Sequence, residues 1–234
     1  MRSSDRPAPP LASIAAGASA VGLAVRGAFH PAGADVELFH EVMPAVGTCV
    51  LLGFTGSLQW PAFAASTEAL DGKPHPLDRW SRRLIHGLAR ELGAIDVYPS
   101  GQPHFPFQQL ASRAESVHPS PIGLLIHAEW GLWHAYRGAL LFAERIELPL
   151  GEPAESPCPA CAGQPCRTTC PVNAFGETGF ALEACIAHVT SVSGGDCRDH
   201  GCRARRACPV GADYRYVPEQ MRFHMEAFIR SVRR

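Results

Sequence analysis

The hydrophobic positions in the first part of the chain follow two spacings, one helical and one typical of strands. One apolar stripe at intervals of three and four consists of Leu77, Trp80, Leu84, Leu88 and Leu92. This spacing predicts an amphipathic helix, and Gly93 follows it where a glycine commonly caps a helix. The continuous apolar run at residues 45–53 predicts a buried strand, because a strand covered on both faces does not alternate.

The rest of residues 1–150 continues this mixture of elements. The patterns predict helices at 11–21, 58–70 and 107–116, strands at 22–29, 94–98, 122–127 and 133–148, a tight loop at 53–57, and a turn at 129–132 between the last two strands. Helices mixed with separate strands in this way predict an α+β domain over residues 1–150.

A stretch rich in proline and glycine at residues 150–165 marks the boundary to a second domain, residues 151–234. That domain closes with a helix that begins at Pro218. One face of this helix consists of Met221, Met225, Phe228, Ile229 and Val232.

Composition and charge exclude several classes of partner. The chain of 234 residues is 46% hydrophobic and 18% charged, with a net charge of −1, as in globular proteins. Residues 1–150 hold 11 basic and 13 acidic residues, and residues 151–234 hold 10 and 9. Neither part has the basic excess of a general nucleic-acid binder, so we expect no nucleic-acid partner. No apolar run reaches the roughly 18 residues of a spanning helix, so we expect no membrane partner.

The N-terminal segment has two interpretations. Arg2 and Arg6 before the apolar residues 11–25 are similar to a secretory signal. Asp5, the prolines at 7–10 and the scarcity of bulky apolar residues favour a short helix of the folded domain instead. On that interpretation we expect a cytoplasmic protein, in which thiols stay reduced.

The cysteines are strongly clustered. Eight of the nine lie between Cys158 and Cys208. Their order is C-x2-C-x4-C-x3-C-P, then an isolated cysteine, then C-x4-C-x5-C-P: Cys158, Cys161, Cys166, Cys170, Cys185, Cys197, Cys202 and Cys208. Two half-motifs that each close with Cys-Pro are typical of bacterial ferredoxins with two clusters, in which the last cysteine of a run binds the other cluster.

This spacing predicts two [4Fe-4S] clusters with crossed ligands in a ferredoxin-like domain. The first cluster is expected on Cys158, Cys161, Cys166 and Cys208. The second is expected on Cys170, Cys185, Cys197 and Cys202. Two zinc sites and four disulfides are the alternatives, and Cys49, in an apolar strand, is expected to be a buried inert thiol. Because the segment has few large apolar residues, we expect its folding to depend on metal.

Three stretches of the cysteine segment carry a resemblance to a known family: CPACAGQPCRTTCPVNAF, EACIAHVT and DCRDHGCRARRACPVGA. They resemble the cluster domain of epoxyqueuosine reductase. That family has the same order of a run ending in Cys-Pro, an isolated Cys-Ile and a second run ending in Cys-Pro. No counterpart of the family's Arg-Asp-Tyr-His element, which carries its catalytic acid, is present, and this departure argues against a queuosine-tRNA substrate.

The stretch IGLLIHAEWGLWHAYRGALLFAERIELP at residues 122–149 is similar to the cobalamin-processing family of the methylmalonic aciduria and homocystinuria type C kind. The matching residues are His127, Trp133 and Arg137, although Ala128 replaces the family's proline. The resemblance implies a nitroreductase-like N-terminal domain that binds a corrinoid. It also implies that these three residues contact the cofactor.

Together these observations predict an iron–sulfur redox protein. Two clusters would relay electrons from a donor protein of the flavodoxin or ferredoxin type to a cofactor, such as cobalamin, or to a substrate in the N-terminal domain. Such a chain could be a cobalamin-dependent or cobalamin-processing reductase. The alternatives are a plain electron carrier or adaptor without a catalytic site and a structural zinc protein.

Overall fold

The computed structural model describes residues 8–149, 151, 153–176 and 179–232. In chain order the helices are α1 (Leu11–Ala20), α2 (Ala34–Phe39), α3 (Trp60–Ala64), α4 (Thr67–Leu70), α5 (Pro76–Leu92), α6 (Phe107–Ala114), α7 (Pro165–Thr168), α8 (Leu182–Thr190), α9 (Gly195–His200), α10 (Arg203–Arg206) and α11 (Pro218–Val232). The strands are β1 (Ala24–Phe29), β2 (Thr48–Thr55), β3 (Ile95–Val97), β4 (Val117–Pro119), β5 (Leu125–His127), β6 (His134–Phe142), β7 (Phe175–Gly176) and β8 (Gly179–Phe180). This mixture of helices and small sheets confirms the predicted mixed α and β character.

The described residues form two compact units. The first unit takes its residues from 1–116 and 135–153, and the second from 117–134 and 154–234. This division differs from the predicted boundary at residue 150, because residues 117–134 group with the cysteine segment. The physical reason is packing: the second unit contains a buried cluster made of Ile122, Ile126, Leu132, Cys166, Ala204 and Cys208.

The first unit is built on a four-stranded sheet with the order β1-β2-β6-β3. Strands β1 and β2 are antiparallel, as are β3 and β6. The predicted strand at 45–53 is present as β2, which is buried from Thr48 to Phe54. It extends further than predicted, so Gly53 lies inside the strand and not in a loop. A side chain there would place its Cβ only 1.9 Å from the Ala135 carbonyl oxygen, so glycine permits this close approach.

Helix α5 has the ends that its sequence predicts. Pro76 occupies the first turn, and Gly93 adopts a left-handed φ of 71° as the C-cap. The buried face includes Leu77, Trp80 and Leu88 of the predicted stripe. The helix predicted at 58–70 is instead divided into α3 and α4. The Ser66 side chain causes this break by accepting a hydrogen bond from the Ala69 amide as the N-cap of α4.

The strands predicted at residues 122–127 and 133–148 are present in part, but they do not pair with each other. Strand β5 pairs with β4, with Val117 opposite His127, whereas β6 belongs to the four-stranded sheet and ends at Phe142. The intervening turn is closed by a bridge between His127 and Gly131, where φ is 55°. Hydrophobic spacing predicted that these segments are extended but not which strands they pair with.

The cysteine segment folds into short elements, followed by the predicted last helix. Helix α11 packs against α9 and α8. Gly201, after α9, adopts a φ of 85°, and a Cβ there would lie 2.9 Å from the Met221 Sδ. Among the described residues, no helix combines the length and apolar character needed to cross a bilayer.

Candidate metal centre

Four cysteines from the two ends of the cysteine segment line one pocket in the second unit. These are Cys158, Cys161, Cys166 and Cys208. The pocket contains about 350 Å³ of empty volume, part of it open to solvent. This set of four is the one that the crossed spacing predicts.

Local structure positions these thiols. The Cys161 amide donates a hydrogen bond to the Cys158 carbonyl at 3.2 Å and closes a turn between the two residues. Pro165 then begins α7, which holds Cys166 in a buried position. Cys208 follows α10, and the Val210 amide donates a hydrogen bond to it. Segments about 40 residues apart in the chain therefore supply one pocket.

The electrostatics of the first set reflect this proximity. Burial raises the pKa of the Cys166 thiol, and the nearby Cys208, Cys158 and Cys161 raise it further. Burial also raises the pKa of Cys208, while the Val210 amide opposes the shift. Without a cation, several thiolates in this space would repel each other, so the arrangement favours binding of a positively charged group.

The second set is Cys170, Cys185, Cys197 and Cys202. Burial raises the pKa of Cys185 to about 11, with further contributions from the other three thiols. Cys185 lies on α8, Cys197 lies on α9 and Cys202 is the N-cap of α10. The charges of Cys170, Cys197 and Cys202 act on Cys185, so these four cysteines lie near one another, and their ligation of a second cluster stays a prediction.

Backbone amides point at several of the sulfur atoms. The Ala174 amide donates to the Cys170 Sγ at 3.3 Å. The amides of Arg205 and Ala204 donate to Cys202 and counteract the rise of its pKa on burial. Such donors stabilise negative charge on sulfur, whether the thiolate is free or bound to iron.

The donor set fits an iron–sulfur cluster. All nine cysteines are free thiols. Within the described ranges, no three His, Cys, Asp or Glu side chains are arranged to hold a single metal ion. A [4Fe-4S] cluster takes one thiolate on each of four irons, so its ligands stand further apart than those of one ion. Two sets of four thiols, with amide donors to sulfur, supply the number and kind of ligands that two such clusters take.

The arginines of the second half-motif make internal contacts. Arg205 donates to the Leu132 carbonyl at 2.6 Å, and its guanidinium lies over the rings of Trp133 and Tyr216 at 4.4 and 4.7 Å. Arg206 pairs with Asp196 at 2.5 Å. These contacts hold the loop between Cys202 and Cys208 in place.

The three predicted corrinoid contacts each have partners within the protein. Arg137, on β6, donates to Asp78 at 2.5 Å and to the Ser81 hydroxyl at 3.0 Å. Trp133 is buried against Tyr216. His127 stacks on Trp130 at 3.9 Å between ring centres. A role for Arg137, Trp133 and His127 in cofactor binding stays a prediction.

The first unit contains a buried polar cluster that was not predicted from the sequence. Arg26 donates to Glu115 at 3.1 Å, and the Tyr136 hydroxyl donates to the same carboxylate. Burial raises the pKa of Glu115, and Arg26 and Tyr136 oppose this rise only in part. The residues are distant in the chain, so hydrophobic spacing gave no signal for the cluster beyond a lone arginine in a strand.

Comparison with known proteins identifies the fold. No family model and no curated protein matches the sequence. A solved structure of epoxyqueuosine reductase with an epoxyqueuosine-modified tRNA-Tyr stem loop is 13% identical, covers 90% of this chain and 68% of its own, and gives a TM-score of 0.53. A selenomethionine-labelled epoxyqueuosine reductase is 12% identical over the same shares, with a TM-score of 0.56. The chain therefore has a fold similar to that of epoxyqueuosine reductase.

Proposed function

We propose that the chain is an iron–sulfur redox protein that carries two [4Fe-4S] clusters. The observation that carries this proposal is the pocket lined by Cys158, Cys161, Cys166 and Cys208. In two-cluster ferredoxins, one cluster takes its cysteine ligands from two distant runs that each end in Cys-Pro. When bound, each cluster supplies one-electron transfer.

Packing supports a short path between the two sets of cysteines. Cys166 and Cys208 of the first set belong to a buried apolar cluster, and Cys170 and Cys202 of the second set pack against the same cluster. Contact of both sets with one apolar cluster favours electron transfer between the two iron–sulfur clusters.

The electrons would come from a one-electron donor protein of the flavodoxin or ferredoxin type. The proposed acceptor is a reducible cofactor or substrate of the first unit, and a corrinoid is the candidate suggested by the resemblance of residues 122–149. On this proposal Arg137, on β6 of the first unit, contacts the corrinoid. We do not extend the tRNA substrate of epoxyqueuosine reductase to this chain, because basic and acidic residues are nearly balanced.

A plain electron carrier is the second candidate function. It is favoured by Arg137, whose guanidinium is already paired with Asp78 and Ser81 and so need not bind a ligand. Cobalamin distinguishes the two functions. The reductase function predicts that the anaerobic protein binds cobalamin and that Arg137→Gln weakens this binding, whereas a carrier binds none.

Anaerobic purification followed by iron, sulfide and zinc analysis tests the cluster proposal. We expect about eight iron and eight sulfide per chain, with the brown colour of iron–sulfur clusters. A colourless protein that contains zinc and takes up no iron during reconstitution would contradict the proposal and support a structural zinc protein.

Paired substitutions test which cysteines share a cluster. Cys166→Ser with Cys208→Ser removes two ligands of the first set, so about four iron per chain should remain. Cys202→Ser with Cys208→Ser affects both sets and should leave almost none, although these two cysteines belong to one sequence run. Cys49→Ser is the matched control and should keep the full iron content. The reverse pattern for the two pairs would overturn the assignment.

A further inference from the structure

Ser120 lines the same pocket as the four cysteines of the first set. Its backbone is fully used by a turn: the amide donates to the Leu124 carbonyl at 2.9 Å, and its carbonyl accepts from the Gly123 amide at 2.9 Å. Gly123 has a φ of 77°, which glycine adopts without strain. The backbone alone therefore fixes Ser120 at the pocket.

The hydroxyl of Ser120 is different from its backbone groups. It is buried, and no other described residue forms a hydrogen bond with it. A buried hydroxyl without a partner is unfavourable, because it has lost its hydrogen bonds to water. Since the turn does not need the hydroxyl, alanine would fill the position without this cost. A buried hydroxyl without a partner at this position indicates a partner that belongs in the pocket.

We propose that the Ser120 Oγ donates a hydrogen bond to sulfur of the cluster on Cys158, Cys161, Cys166 and Cys208, and thereby raises the reduction potential of that cluster alone. This inference rests on the proposed function. Reduction adds one negative charge to the cluster, so a hydrogen-bond donor stabilises the reduced state more than the oxidised state. Apolar neighbours such as Ile126 and Leu132 line the same pocket and strengthen the interaction by lowering the local polarity.

The test is a redox titration of the full chain with both clusters loaded, followed by electron paramagnetic resonance. Ser120→Ala should shift the balance between oxidised and reduced forms of one cluster about tenfold toward the oxidised form, a fall of about 59 mV in its potential. The other cluster should not change. Ser120→Thr keeps a hydroxyl and should retain the wild-type potential. Ser193→Ala is a control, because Ser193 is exposed and its hydroxyl contacts Ser191.

The isosteric pair Ser120→Thr and Ser120→Val provides the same comparison if Ser120→Ala does not incorporate iron. Pulsed resonance in deuterated solvent is a second measurement: one exchangeable proton coupled to the cluster should be lost in Ser120→Ala or Ser120→Val. A fully loaded variant without the hydroxyl, with unchanged potentials and couplings, would overturn the inference and leave the two clusters intact. A change in stability alone would indicate a structural role and overturn it as well. Absence of iron from the wild-type protein would refute both proposals, and iron analysis identifies that case.

Discussion

The two units are held together in different ways. Of the twelve largest side chains that are fully buried among the described residues, only Trp133, Ile126 and Gln220 belong to the second unit. The first unit has a sheet whose β2 strand contains four consecutive residues, Cys49 to Leu52, without exposed surface. The buried cluster of the second unit contains Cys166 and Cys208 beside Ile122, Ile126 and Leu132. An apolar core stabilises the first unit, whereas we expect the second to depend on what its thiols bind.

Short helices occur in both units, and in the second unit cysteines accompany them. The first unit has α2, α3 and α4 with six, five and four residues beside the 17-residue α5, and the second unit has the 15-residue α11. In the second, α7 and α10 have four residues each and α9 has six. Helices below about 12 residues are marginal in isolation, because nucleation costs more than a few hydrogen bonds return. These short helices need an external constraint, and cysteines lie in or beside each of them.

Removal of iron should have the largest effect and should act on one unit only. In protein made free of iron under anaerobic, reducing conditions, amides of α8 and α9 should exchange with solvent at least about 100-fold faster, a loss of about 2.7 kcal/mol in opening free energy. Amides of β2 and β6 should keep their protection. Hydrogen exchange with mass spectrometry measures both regions in one experiment.

Reconstitution is the control for this prediction. Adding iron and sulfide back should restore slow exchange in α8 and α9. Equal protection with and without iron would mean that the apolar cluster around Ile126 is sufficient to fold the second unit, and the contrast between the units would not hold.

A matched pair of core substitutions should have an intermediate effect. Leu140→Ala in β6 and Ile126→Ala in β5 each empty a fully buried site, and each should cost about 2–5 kcal/mol in the unit that contains it. Only Ile126→Ala should also lower the iron content, because Ile126 packs in the cluster that includes Cys166 and Cys208. Urea unfolding and iron analysis on both variants measure the two effects. If Leu140→Ala lost iron and Ile126→Ala did not, the predicted separation between the two units would be contradicted.

Local signals predicted much of the first unit. Pro76 and Gly93 define the ends of α5 because both residues act through their own backbone restrictions. The apolar run at 45–53 predicted β2 because burial on both faces requires apolar side chains throughout. Pairing could not be predicted in this way: β5 and β6 have suitable strand patterns, yet their partners are set by contacts between distant segments.

The candidate site shows the same division between local and distant information. The two runs that end in Cys-Pro predict which cysteines share a cluster, because a proline redirects the chain after the last ligand. By contrast, Ser120 lies far from those runs in the sequence, and nothing in its neighbours indicates a pocket. The pairing of Arg26 with Glu115 likewise depends on residues 89 positions apart. A site whose ligands recur along the chain can be predicted from the sequence. A site that the fold assembles from distant residues cannot.

The smallest predicted effect concerns how the first unit tolerates a buried ionisable group. In the second unit, burial raises the pKa of thiols such as Cys185, and bound metal would reverse that shift. In the first unit, burial raises the pKa of Glu115 above its ordinary 4.5, and only Arg26 and Tyr136 oppose the rise. Between 4.5 and the raised value, the folded state binds more protons than the unfolded state at this carboxyl. This group therefore makes stability decline as the pH rises through that window.

Glu115→Gln should remove this dependence, because the amide does not titrate. The free energy of unfolding of the first unit, from urea titrations followed by hydrogen exchange of β2 amides, should fall less steeply from pH 5 upward in the variant than in the wild type. Glu68→Gln is the control of opposite sign. The hydrogen bond from Arg83 lowers the pKa of Glu68 to about 2, so Glu68 stays ionised in both states above pH 5. Its loss should lower stability by a constant amount with no change of slope. Parallel profiles for wild type and Glu115→Gln would mean that Arg26 and Tyr136 fully offset burial, and that the first unit accommodates its buried charge as completely as a metal would accommodate the thiolates of the second.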